Sequence, residues 1–181
     1  MRWNLTTNGV FSVSSAYKIQ FMGCIQEPTV CSVWKSQSEQ KVKVYMWLLL
    51  QIRNWTADIL AARGWSHSST CCFCDQSMEA DVHLLLQCPY AKDIWAKISH
   101  SQGRIASIAS TGNYVLPWRN RCNKLALINL RKKEMFFAAY VAWHIWKERN
   151  RRIFQGKSLT TDEVVQLFKD EISLSSKVFW E

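Results

Sequence analysis

A chain of 181 residues of which 48% are apolar carries enough hydrophobic surface for a core, which excludes global disorder. A formal charge of +9 and a pI near 9.3 point to a polyanion as partner, either RNA or DNA or an anionic membrane surface. The longest apolar runs, VYMWLLL and FFAAYVAW, are far short of the roughly 18 residues that a bilayer span requires, so no membrane crossing is expected.

The N-terminal MRWNLTTNGV has no apolar h-region, and the chain is expected not to be secreted. RWNLTTNGVFSV reads as two β-compatible runs joined at Asn8-Gly9, a dipeptide that takes positive φ cheaply and favours a tight hairpin. SSAYKIQFM follows as a short helix capped by Ser14 or Ser15. Residues 23 to 33, with Gly23 and Pro28, read as a loop ending near Trp34.

From Lys41 to Ala62 the three- and four-residue spacing of Val44, Trp47, Leu48, Ile52, Trp55, Ile59 and Ala62 predicts the longest helix and assigns it an apolar face. Asn54 and Thr56 are placed to split it in two. Arg63-Gly64 reads as its stop, glycine supplying the left-handed cap. A second helix is predicted over PYAKDIWAKI, with Ile94, Trp95 and Ile98 on one face. Residues 99 to 120, rich in serine and glycine, read as a linker or irregular loop. Two or three helices fill the C-terminal third, the last opened by a capping box, Thr160 with Glu163. Ten tryptophans and 13% aromatic residues are expected to be mostly core, because each ring brings a large apolar area.

Seven cysteines, an odd number, with no secretion signal argue for a reducing compartment, nucleus or cytoplasm, where clustered cysteines are metal ligands or catalytic thiols more often than disulfides. Cys24, Cys31 and Cys122 read as small buried hydrophobes. The informative cluster is Cys71, Cys74, His83 and Cys88, spaced C-x2-C-x8-H-x4-C. Three thiolates and one imidazole complete a tetrahedral Cys3His shell of the closed, structural zinc type. The two-residue gap suits a tight turn, and MEADVHLLL suits a short helix carrying His83. In a regular α-helix, a five-residue offset would turn Cys88 about 140° away from His83. Pro89 counters this, because the residue before a proline is pushed out of the α region, so Cys88 can swing back toward the ion. Pro89 also suits a helix start, which puts the Cys88 sulfur where the dipole favours thiolate.

Other readings of the cluster remain: a thioredoxin-like Cys71/Cys74 pair, which wants a βαβ context absent here, a cysteine nucleophile beside His83, or thiols that cluster without a metal. Cys72 is a spare that could stand in for Cys71. The nearby Asp75, Glu79 and Asp81 read as solvated turn and cap residues. The fold expected from all this is mainly α. It combines a small N-terminal β-hairpin, helices around a Cys3His zinc site at 1–98, a linker at 99–120, and a helical C-terminal extension at 121–181.

FSVSSAY, Trp34, KVKVYMWLLL, RGW, C-x2-C and HLLLQCPYAKDIW, in that order, resemble the zinc-binding region downstream of the reverse transcriptase in plant non-LTR (LINE-type) retroelement polyproteins. The likeness covers about residues 3 to 97, and WHIWKERNRRIF is similar to the segment that follows in those polyproteins. The resemblance implies zinc on Cys71, Cys74, His83 and Cys88 and a nucleic-acid-associated role. Gln40 stands where a proline is usual and Leu85 where a phenylalanine is usual, and neither is a ligand. A polymerase's Tyr-x-Asp-Asp turn is missing, since no two aspartates are adjacent. No catalytic residues and no enzyme activity are therefore expected.

Positive charge gathers late, at residues 119 to 124, at Arg131, Lys132 and Lys133, and at Lys147, Arg149, Arg151 and Arg152, and these last seven are the candidate nucleic-acid-binding residues. On a helix, Glu148 can pair with Arg152, leaving Lys147 and Arg151 for phosphate, with Trp143, Trp146 and Phe154 nearby as stacking surfaces. Two functions are consistent with this pattern. One is a zinc-held domain binding RNA or DNA with low specificity. The other is a zinc-stabilised interaction module that docks a reverse transcriptase or another retroelement domain.

Overall fold

The computed structural model describes residues 38–68, 70–102 and 132–179, together with positions 10, 12, 13, 15, 33, 34 and 36. The hairpin expected at Asn8-Gly9, most of the loop at 23 to 33, the three scattered cysteines, Arg131 and residues 103–131 as a whole lie outside the described residues. Among the described residues there is no β-strand, only a bridge between Thr70 and Met78. Val13 and Ser15 are helical. The Ser15 N–H donates to Ser12 Oγ and the Ser12 N–H to Ser15 Oγ, so the cap is Ser12 and not one of the two serines expected.

Five α-helices follow: α1 Gln40–Leu50, α2 Ala57–Ala62, α3 Pro89–Gln102, α4 Lys132–Gln155 and α5 Thr161–Phe179, with a π-turn over His83–Gln87 before α3. The single periodic stretch at 41 to 62 is indeed two helices. The Arg53 N–H donates to the Leu48 carbonyl with Ile52 at φ 53, a left-handed C-terminal closure that normally uses glycine. A β-branched residue there gives no sequence signal. Between the helices the buried Asn54 amide donates to Asp81 Oδ1 at 3.3 Å, and Glu79 Oε1 accepts the Ala57 N–H at the start of α2. Gly64, at φ 69, ends α2 as expected, with the Trp65 N–H reaching back to the Leu60 carbonyl.

The break at 51–56 also changes which face is buried. Val42, Tyr45, Met46, Leu49 and Leu50 enter the core, while Val44, Ile52 and Trp55 are exposed. The face inferred from the unbroken spacing thus opens onto a groove. Tyr45 lies against Trp143 and Trp146 of α4, with ring centroids 5.4 and 5.9 Å apart. The tryptophans divide likewise: Trp95 is buried, Trp143 and Trp146 pack partly against the core, and Trp34, Trp55 and Trp65 are exposed.

In α3, Ile94, Trp95 and Ile98 are buried on the face that the spacing predicts. The helix continues to Gln102, past the residue 98 at which the first unit was expected to end. α5 opens with the expected capping box, Glu163 Oε2 accepting the Thr160 N–H at 2.8 Å. Its buried stripe is Val164, Val165, Phe168 and Ile172. One core joins all of these elements, because α3 and α4 both pack on α5, α1 packs on α4, and the π-turn packs on α3 and α4. Helices before residue 103 and after residue 131 therefore bury the same apolar surface.

Candidate metal centre

Between the Thr70–Met78 bridge, the chain makes a tight turn. The Cys71 N–H donates to the Ser77 carbonyl and the Asp75 N–H to the Cys71 carbonyl, with Asp75 at φ 53. The turn sets Cys71 and Cys74 on one side. The facing pair comes from the π-turn. The Cys88 N–H donates to the His83 carbonyl at 2.7 Å, a five-residue bond that brings residue 88 back under residue 83. Cys88 itself is extended, at φ −60 and ψ 133, as its place before Pro89 requires. The awkward five-residue offset is resolved twice over, by a π-turn that spacing alone does not reveal and by the proline.

Donor atoms of Cys71, Cys74, His83 and Cys88 all lie within 4.8 Å of one another. Cys71 Sγ is 3.9 Å from Cys88 Sγ, and Cys74 Sγ is 3.4 Å from His83 Nε2. A tetrahedral zinc with ordinary bond lengths would separate two sulfurs by about 3.8 Å and a sulfur from a nitrogen by about 3.6 Å. The donor set and its spread therefore fit one such ion. Cys72 is not among the four. Its carbonyl accepts from Arg152, and burial pushes its thiol up to about 12.

Cys88 is pulled below the ordinary thiol range, first by the Cys71 thiol donating to it and then by the backbone N–H groups of Tyr90 and Ala91 at the start of α3. Cys71, the donor of that pair, is correspondingly pushed up, with burial adding to the effect. Burial lowers His83, favouring the neutral imidazole that a metal needs.

Residues 11–95 match the model of a family described as zinc-binding in reverse transcriptase, and all four donors fall inside the match. This segment is similar to that family. Over 168 residues the chain is 26% identical to a protein of Arabidopsis thaliana that bears the name of a ribonuclease H protein, covering 91% of this chain and 27% of that one. The chain thus spans about a quarter of the length of this curated relative. No solved structure matches.

Around the reverse-transcriptase-type zinc-binding segment stand residues whose roles the spacing did not indicate. Glu79 and Asp81, expected in solvent, are 2% and 4% exposed. Glu79 Oε1 accepts two bonds from Arg149, at 3.1 and 2.6 Å. Asp81, held by Asn54, is raised by burial to about 7. Trp95 Nε1 donates to the Leu85 carbonyl of the π-turn at 2.8 Å. These partners lie up to 70 residues apart, and no local pattern announces them.

The late basic residues are placed unevenly. Lys132 and Lys133 lie at the start of α4. The expected Glu148–Arg152 pair is present, with Arg152 Nε 2.9 Å from Glu148 Oε1. Lys147 and Arg151, expected unpaired, are bonded to Glu171 and to Glu148 Oε2. Arg149 is buried on Glu79. Trp143 and Trp146 lie against Tyr45, while Phe154 is exposed.

Proposed function

We propose that this chain is a non-catalytic, zinc-stabilised domain of a retroelement reverse-transcriptase protein, with one zinc ion on Cys71, Cys74, His83 and Cys88 holding its fold. The observation that carries the proposal is the convergence of three thiols and one imidazole within 4.8 Å. Four protein ligands complete the shell and leave no position for a reactive water. The domain binds RNA or DNA with little sequence preference, in the nucleus or cytoplasm, and the charge of +9 supports this. Lys132 and Lys133, with Arg131 and the basic run at 119 to 124 before them, are the first candidates for phosphate. Lys147, Arg151 and Arg152 contribute only with the charge that their carboxylate partners leave. Among the described residues no helix is long and apolar enough to cross a membrane.

Metal analysis of the purified chain is expected to give one zinc per chain, lost in Cys74→Ser. Binding to a single-stranded oligonucleotide is expected to weaken steeply between 50 and 200 mM salt, since each phosphate contact releases counterions. Zinc well below one per chain removes the metal reading, and binding indifferent to salt removes the nucleic-acid half.

A second reading, an interaction module that docks a polymerase domain, is favoured by a groove of about 1220 Å³ lined by Val44, Leu48, Trp55, Trp65, Trp146 and Phe154. Within it Trp55 and Trp65 stack at 5.1 Å and stay 41% and 57% exposed, and exposed apolar patches mark partner surfaces. Loss of oligonucleotide binding in Lys132→Glu with Lys133→Glu, and its retention in Trp55→Ala with Trp65→Ala, favours the first reading. A chain that binds no oligonucleotide at low salt favours the second.

A further inference from the structure

Two arginines that the sequence offers to phosphate face the metal turn instead. Arg149 comes from the C-terminal third of α4, and its guanidinium gives Nε and Nη2 to Glu79 Oε1. Both side chains are almost fully buried. Glu79 lies between the second and third metal donors, and the same oxygen holds the Ala57 N–H at the start of α2. One turn further along α4, Arg152 donates Nη1 to the carbonyl of Cys72 at 3.1 Å, inside the Cys71–Cys74 turn. Its guanidinium lies over the rings of Phe73 and Tyr90, 4.9 and 4.5 Å from their centroids, and these rings stack on each other at 4.6 Å. Phe73 precedes Cys74 and Tyr90 follows the start of α3, so the cation sits where the two ligand-bearing segments meet. Arg152 is itself oriented by Glu148 and by the Leu159 carbonyl.

We infer that Arg149 and Arg152 are positioning residues of the metal site, and that the metal-binding unit therefore extends past the matched segment, which ends at residue 95, into α4. This rests on the zinc reading proposed above. The four donors come from two short segments, a turn and a π-turn, neither stable alone. Arg152 fixes the first by its carbonyl and both by the aromatic pair, and Arg149 fixes the peptide between them through Glu79. Groups that orient metal ligands in this way commonly change metal affinity by 10- to 100-fold when removed. A guanidinium is required at 152, because only its planar fork can stack on rings while bonding Glu148, Cys72 and Leu159 together.

The test uses the full chain. Zinc affinity is measured by competition with a chromophoric chelator, and melting temperature is measured with zinc and with chelator in excess. The variants are Arg152→Lys, which keeps the charge, and Glu79→Gln with Arg149→Met, which removes both buried charges together, with exposed Lys169→Ala as control. Both test variants are expected to lose about 10-fold or more in zinc affinity and to show a smaller zinc-induced rise in melting temperature, with the zinc-free melt close to wild type. Lys169→Ala should match wild type throughout. Equal loss of melting temperature with and without zinc, at an affinity within about twofold of wild type, overturns the positioning role and leaves the zinc reading standing. A wild-type chain that takes up no zinc overturns both.

Discussion

Removing the metal should loosen the turn at 70–88 and leave the helical body standing. A structural zinc contributes about 10 to 16 kcal/mol of apparent binding energy at neutral pH, as much as the whole stability of an ordinary domain, roughly 5 to 15 kcal/mol. That energy is not spread evenly through this fold. Buried residues of α1, α3, α4 and α5, among them Leu49, Ile94, Ile98, Tyr140, Ile145 and Phe168, supply most of the core, to which the metal turn and the π-turn add Cys71, Leu84, Leu85, Leu86 and Cys88. What depends on the metal is the turn itself, the five residues of the π-turn and the six of α2 held by Glu79. Against these stand 11, 14, 24 and 19 residues in α1, α3, α4 and α5. Chelation should therefore remove roughly a seventh of the 222 nm ellipticity that these described elements contribute, as expected for a local opening. Hydrogen exchange should quicken at the Cys71, Asp75, Leu84 and Cys88 amides, whose acceptors lie in the turn, in the π-turn or just before it, and zinc should restore both signals. Collapse of the whole helical signal, or unchanged protection at those amides, refutes the division between a metal-held turn and a self-sufficient body.

Phe168, fully buried between Phe137 and His144, should cost about 3 to 5 kcal/mol on truncation to alanine, read by denaturant melts of the zinc-loaded chain. Glu148 is fully buried and serves Arg151, Arg152 and the Leu159 N–H. Its replacement by alanine should cost about 2 to 3 kcal/mol in the same melts, somewhat below a fully buried pair because both arginines keep some solvent. Glu171 is held well below the usual carboxylate range, chiefly by the hydrogen bond from His144 and then by Lys147 and Lys41. A depressed carboxylate stabilises the fold fully above its unfolded value of 4.5, and this contribution fades as pH falls through the folded value. Glu171→Gln should therefore melt lower than wild type at pH 7, with the gap narrowing progressively as pH falls below 4.5, and a gap that widens in acid would contradict the assignment. Gly64→Ala meets no neighbouring atom, so its cost should be only that of the left-handed backbone at φ 69, about 1 to 2 kcal/mol.

Several elements could be read without coordinates because their signals are local. The capping box at Thr160, the glycine stop at Gly64 and the buried face of α3 each depend on residues within one or two turns. The four candidate ligands are equally local, lying within eighteen positions, and their spacing already implied a turn, a helix and a chain reversal at Pro89. The buried face of α1 was not legible, because the apolar spacing runs through a break closed by an isoleucine in a left-handed conformation. Nor were the roles of Glu79 and Asp81, whose charges in a polar stretch read as solvent-facing until a partner 70 residues away is known.

The sequence by itself determined which donors a metal shell could draw on, since three thiols and one imidazole at these intervals can reach one point by short-range geometry. Only the tertiary structure decided the use of the late arginines. A guanidinium on a helix looks the same in sequence whether it meets phosphate, solvent or a buried carboxylate. The packing of α4 against the π-turn and α3 brings Arg149 to Glu79 and Arg152 to the rings of Phe73 and Tyr90. Long-range burial sets the choice, because an arginine enclosed in this way must be paired where it lies.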